Sequence, residues 1–141
     1  MKKLMLFMIA SMMLICLVIA PAAAQHGSDG ETIHQAAVDN HELTYELIDM
    51  REALKEHGSD SEATHHLMVF IRDQNGDAVT GAKTGFLIQG PDGKQQRVMA
   101  MGMADGYGAD VSLDPPGEYT IRTKAVAGGK TLLHSFDHVV Q

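Results

Sequence analysis

His65-His66-Leu67-Met68-Val69-Phe70-Ile71-Arg72, followed by Asp73-Gln74-Asn75-Gly76-Asp77, decides how this chain is read. Leu67, Val69 and Ile71 fall on one side of an alternation, and His66, Met68, Phe70 and Arg72 on the other. A period of two is that of a strand. Asn75-Gly76 then makes a turn, because both residues tolerate a positive φ.

The same pattern extends in both directions. Upstream, Leu43, Tyr45 and Leu47 alternate with Thr44 and Glu46, which predicts a half-buried strand from Glu42 to Ile48. Asp49 reads as a helix N-cap with Glu52 three residues on. Met50, Ala53, Leu54 and His57 then predict a short one-sided helix that Gly58 stops. Downstream, Lys83 to Gln89 and Gln95 to Met103 read as extended, with a turn at Pro91-Asp92-Gly93. Tyr107, Ala109, Val111 and Leu113 share a face, as do Tyr119, Ile121 and Thr123. A last strand runs from Thr131 to Val140. Short strands at near-regular spacing predict an all-β fold, an immunoglobulin-like antiparallel β-sandwich with one short helix near its N-terminus.

The N-terminus reads as a targeting segment. Lys2 and Lys3 precede a run from Leu4 to Ala20 that is apolar apart from Ser11, and Ala22-Ala23-Ala24 offers a small-residue cleavage site. Residues 1–24 are therefore expected to be a signal peptide, with a retained anchor as the alternative, since the run is just long enough to span. Residues 25–40 are expected to be a flexible lead-in with a short ordered piece from Ile33 to Val38, and 41–141 the sandwich domain. The only cysteine, Cys16, lies in the apolar run, so a processed chain has no disulfide, thiolate site or cysteine nucleophile.

The full chain of 141 residues carries 11 basic and 18 acidic residues. Loss of Lys2 and Lys3 makes it more acidic still. Such a surface repels phosphate backbones and anionic lipids, which disfavours nucleic acid and leaves no membrane partner after cleavage.

A resemblance appears at Arg72-Asp73-Gln74-Asn75-Gly76-Asp77-Ala78-Val79-Thr80-Gly81-Ala82. It looks like the D-x-x-G-x-P-V-x-G-A signature of small extracytoplasmic immunoglobulin-like modules, with Ala78 in place of the proline. Gly106-Tyr107-Gly108-Ala109-Asp110-Val111-Ser112-Leu113 and Pro116-Gly117-Glu118-Tyr119-Thr120-Ile121 are similar to the closing half of YtkA-like and FixH-like domains. That resemblance implies the sandwich fold and an association with copper handling or oxidase assembly.

Met99, Met101 and Met103 are the sharpest candidates for chemistry. Soft thioethers suit Cu(I), and imidazole suits copper among other metals. On an extended strand the three sulfurs would share one face, about 6.6 Å apart at roughly 3.3 Å per residue. The competing reading makes them an ordinary buried face, since methionine fills core gaps. His66 and Met68, two residues apart, would form half of a copper site. His65 adjoins His66 but points to the opposite face. His134 and His138 share a face about 13 Å apart, too far to chelate one ion together, and one of them could meet His66 or the methionine strand across the sheet. His26 would stand second in a chain starting at Gln25, where an N-terminal amine could complete a Cu(II) site.

No G-x-S-x-G, H-E-x-x-H, P-loop or dinucleotide-binding glycine pattern is present. The expectation is a non-catalytic periplasmic or otherwise extracytoplasmic protein that binds or delivers a metal, with copper favoured. Its partner would be a metal donor or acceptor in the envelope. The alternative is a metal-free interaction module of an envelope complex, with the methionines in its core.

Overall fold

The computed structural model describes residues 30–141, so the expected signal segment and the start of the lead-in lie outside the described residues. Among the described residues nine strands form two antiparallel sheets. Their ranges are β1 (Glu31–Val38), β2 (His41–Asp49), β3 (His65–Arg72), β4 (Lys83–Gln89), β5 (Gln95–Met99), β6 (Met101–Met103), β7 (Gly106–Val111), β8 (Gly117–Ala127) and β9 (Lys130–Val140). One sheet has the order β1-β2-β3-β7-β6 and the other β5-β4-β8-β9.

The alternations become the two inner faces. Leu43, Tyr45, Leu67, Val69, Ile71, Tyr107, Val111 and Leu113 meet Phe86, Ile88, Tyr119, Ile121, Leu132 and Phe136 in one core. Buried aliphatic and aromatic side chains supply the main stabilisation, and truncating one to alanine typically costs about 2–5 kcal/mol. The Asp-x-x-Gly stretch is structural. Asp73 Oδ1 accepts the backbone N–H groups of Asn75 at 2.8 Å and Asp77 at 3.1 Å. The Tyr107 hydroxyl then ties down the crossing to the second sheet, donating to Val79 O at 2.6 Å and accepting from Ala82 N–H at 2.9 Å.

Three local expectations are corrected. The lead-in contains a full edge strand, β1, paired with β2. A bulge between Thr32 and His34 breaks its alternation, which hides it from a period-two reading. The single strand expected from Gln95 to Met103 is two strands in different sheets: β5 pairs with β4, and β6 pairs with β7. The chain changes sheet at Ala100, whose N–H donates to Thr84 O at 2.9 Å and whose side chain packs on the core. Helix α1 (Arg51–Glu56) has Met50 at its N-cap with no side-chain cap. Asp49 instead accepts from the Arg51 backbone N–H at 2.9 Å and from the Arg51 guanidinium at 2.6 Å. That guanidinium holds the Asp49 carboxyl down at about 2. Among the described residues no helix is long and apolar enough to cross a membrane.

Candidate metal centre

Register assembles the site. On the outer face of the first sheet, His66 lies opposite Asp110, and Met68 lies opposite Gly108. From the other side of β7, Met101 lies opposite Gly108 and Met103 opposite Gly106. Facing residues of an antiparallel pair share a side of the sheet. Glycine at 108 therefore leaves an open space above the strand, walled by the side chains of β3 and β6.

Three donors point into that space. His66 Nε2, Met68 Sδ and Met103 Sδ all lie within 3.0 Å of the point a β-carbon on Gly108 would take, with Met103 Sδ at 2.9 Å. Only a residue without a side chain lets these atoms converge. On the far side of the imidazole, His66 Nδ1 is 2.6 Å from Asp110 Oδ1. Nδ1–H donating to the carboxylate leaves the Nε2 lone pair facing the open space, the tautomer that metal-bound histidines use. The His66 ring is largely enclosed, whereas Asp110 is open to solvent. Two thioethers and one imidazole form a soft donor set, suited to Cu(I). Among the described residues no three His, Cys, Asp or Glu side chains gather as a harder site would need.

The remaining sequence candidates are distributed elsewhere. Met101 stands beside the cluster in register and is 71% exposed. Met99 is on the other sheet, with its sulfur 3.2 Å from where a β-carbon on Gly85 would sit. The three methionines therefore do not share one face, because the chain changes sheet between Met99 and Met101. Nor do they form a buried face, since Met99 is 68% and Met103 44% exposed. His65 faces inward and is buried, with Nδ1 2.7 Å from Thr64 Oγ1. Burial pushes its pKa below the usual value, partly offset by Asp49.

His134 and His138 are on β9, which forms an edge of the second sheet, and neither reaches His66 or the methionines. His134 Nε2 lies 3.0 Å from Nε2 of His34 on β1, and the His34 ring stacks on Phe136 at 4.2 Å. The bulge in β1 sets this up by turning His34 to the same side as Tyr45. His138 lines a cavity of about 350 Å³ with Glu31, Asp49, Arg51 and His65. Desolvation lowers the pKa of both His134 and His138.

Sequence reading missed His34, Asp110 and Gly108 as parts of these clusters. Each depends on strand register over long separations, such as the 44 residues between His66 and Asp110. It also missed Glu46, which is buried on the outer face opposite Met68.

No family model matches the chain, and no curated protein sequence matches it. The YtkA-like and FixH-like resemblance is accordingly not confirmed. Several solved structures share the fold. A copper-bound variant of FetP from uropathogenic Escherichia coli strain F11 has a TM-score of 0.59 at 17% identity, over 77% of this chain and 95% of that one. A copper-bound variant of Campylobacter jejuni P19 has a TM-score of 0.53 at 16% identity, over 78% and 98%. A DUF4426 family protein from Pseudomonas aeruginosa PAO1 has a TM-score of 0.56 at 14% identity, over 77% and 94%.

Proposed function

We propose that this chain is an extracytoplasmic, non-catalytic copper-binding or copper-delivery protein that holds Cu(I) above Gly108. Met68 and Met103 supply thioethers and His66 supplies Nε2, while Asp110 orients the ring. The observation that carries the reading is the convergence of these three donors on the space a side chain at 108 would fill. Copper-bound relatives in fold, FetP and P19, agree with it. The strand order supports the immunoglobulin-like class. Without β1, β2-β3-β7-β6 faces β5-β4-β8-β9 as A-B-E-D faces C′-C-F-G.

An open, partly exposed site suits exchange more than permanent storage, because a partner's ligands can approach from the Met101 side. A donor or acceptor protein in the envelope is the partner this implies. The metal-free alternative placed the methionines in the core, and the exposure of Met99, Met101 and Met103 weighs against that form of it.

The test is a Cu(I) titration of the purified chain under reducing conditions against a competing chelator. One-to-one binding is expected, lost in Met68→Leu/Met103→Leu while the far-ultraviolet spectrum is kept. Absence of binding by the unaltered chain, or unchanged binding by that variant, would overturn the assignment.

A further inference from the structure

The outer face of the second sheet departs from the rest of this acidic chain. A cavity of about 540 Å³ opens on it, lined by Lys83, Arg97, Arg122 and Lys124 around Leu87, Met99 and Leu133 among others. No Asp or Glu lines it, although the chain has 18 acidic residues against 11 basic ones. None of the four cations takes part in an ion pair among the described residues.

Register explains the shape. Arg97 and Arg122 flank Leu87 across β5, β4 and β8. In the next row Met99, Gly85, Lys124 and Leu133 follow one another across all four strands. Gly85 has no side chain, so the Met99 thioether lies over it, with its sulfur 3.2 Å from where a β-carbon would sit, and forms the floor of the hollow. Met99 and Leu133, 68% and 64% exposed, give it apolar surface.

No two of these cations are directly opposite in register, and no carboxylate lines the cavity between them, so an anion that enters it meets them unneutralised. Arginine's planar fork is suited to carboxylate and phosphate oxygens. The volume lies in the range of small-molecule sites, which pair apolar walls with a few convergent charges.

We propose that this cavity binds an anionic amphiphile, with its carboxylate or phosphate head held by Arg97 and Arg122 and its apolar chain laid against Leu87, Met99 and Leu133. The site is separate from the one above Gly108, since it lies on the other sheet's outer face, and it does not depend on copper binding. Free amphiphile and the headgroups of an anionic bilayer share this chemistry, and the inference commits to the free molecule.

Calorimetric titration with dodecyl phosphate, below its micellar concentration, tests this directly. Expected is one-to-one binding at least tenfold tighter than that of inorganic phosphate or of neutral dodecyl maltoside. Arg97→Gln/Arg122→Gln should weaken it at least tenfold, and added salt should weaken it further. A parallel arm measures sedimentation with phosphatidylglycerol vesicles. Binding to vesicles without binding to monomeric dodecyl phosphate would overturn the proposal. So would equal affinity for the neutral amphiphile, or indifference to the two arginine substitutions.

Discussion

Two clusters at opposite edges of the sandwich use similar side chains to different ends. At the β3-β7-β6 edge, His66, Met68 and Met103 point at a space that Gly108 leaves open. At the β1-β9 edge, His34 and His134 point at each other, 3.0 Å apart, with Phe136 stacked on His34. In the first, a carboxylate orients the ring and a free lone pair faces outward. In the second, the imidazoles partner one another and Phe136 stacks on His34. The difference lies in what neighbours the histidine: a glycine leaves donors available for a ligand, and an aromatic ring turns them into structure.

The strongest way to break this contrast is to fill the space. Gly108→Leu should lower Cu(I) affinity by at least about 100-fold, about 2.7 kcal/mol, in a chelator competition. Of the atoms in its way only the Met103 thioether is exposed, while Met68 is buried and the His66 ring enclosed, so some stability is lost and thermal unfolding must show that the variant stays folded. Retained affinity would mean the donors do not act together. Removing the orienting carboxylate should do less. Asp110→Ala is expected to cost about 10–100-fold, the usual effect of losing the partner that fixes a ligating histidine. No loss would place Asp110 outside the site.

The other edge answers to acid. His134 and His138 have pKa values lowered by burial, so the unfolded chain takes up protons before the folded one does. Their stabilising effect is complete above the unfolded value of 6.5 and declines as pH falls through it. Melting temperature should therefore drop between pH 7.5 and 5.5, and His134→Phe should flatten that slope. An unchanged slope would remove His134 as a source and leave His138.

Smaller effects sharpen the boundary between the regions. Among the described residues the Thr123 hydroxyl is buried without a hydrogen-bond partner, and burial pushes the Tyr45 phenol in the same core up to about 12. Thr123→Val should be neutral or stabilise by up to about 1 kcal/mol in urea unfolding, because an unsatisfied polar group is removed from the interior. A clear loss of stability would show that the hydroxyl is bonded in solution. Met99→Leu should change Cu(I) affinity less than twofold. A larger loss would return Met99 to the metal centre.

Much of the architecture was legible because it is periodic. The β3 alternation from His65 to Arg72, and those at Leu43 to Leu47, Tyr107 to Leu113 and Tyr119 to Thr123, became inner faces of the two sheets. Breaks in the period were not legible. The bulge in β1 disguised a strand as a lead-in, and the crossing at Ala100 divided a run of nine residues between two sheets. At the candidate site, His66 and Met68 were readable as a pair two residues apart on one face. Their junction with Met103 and Asp110 was not, since it needs β7 to lie between β3 and β6 in one register.

The amino-acid order by itself determined which side chains of the regularly alternating strands β2, β3, β7 and β8 face inward, because period two and apolar burial act within a few residues. It also determined the turns, through Asn-Gly and Asp-x-x-Gly chemistry, and the shortage of basic residues. Which outward-facing side chains meet was decided only by the tertiary structure. Pairing of β3 with β7 and of β7 with β6 placed a glycine under three donors drawn from positions 66, 68 and 103. Register between distant strands is set by the packing of the whole core, and a slip of one residue would have turned Gly108 inward and closed the space.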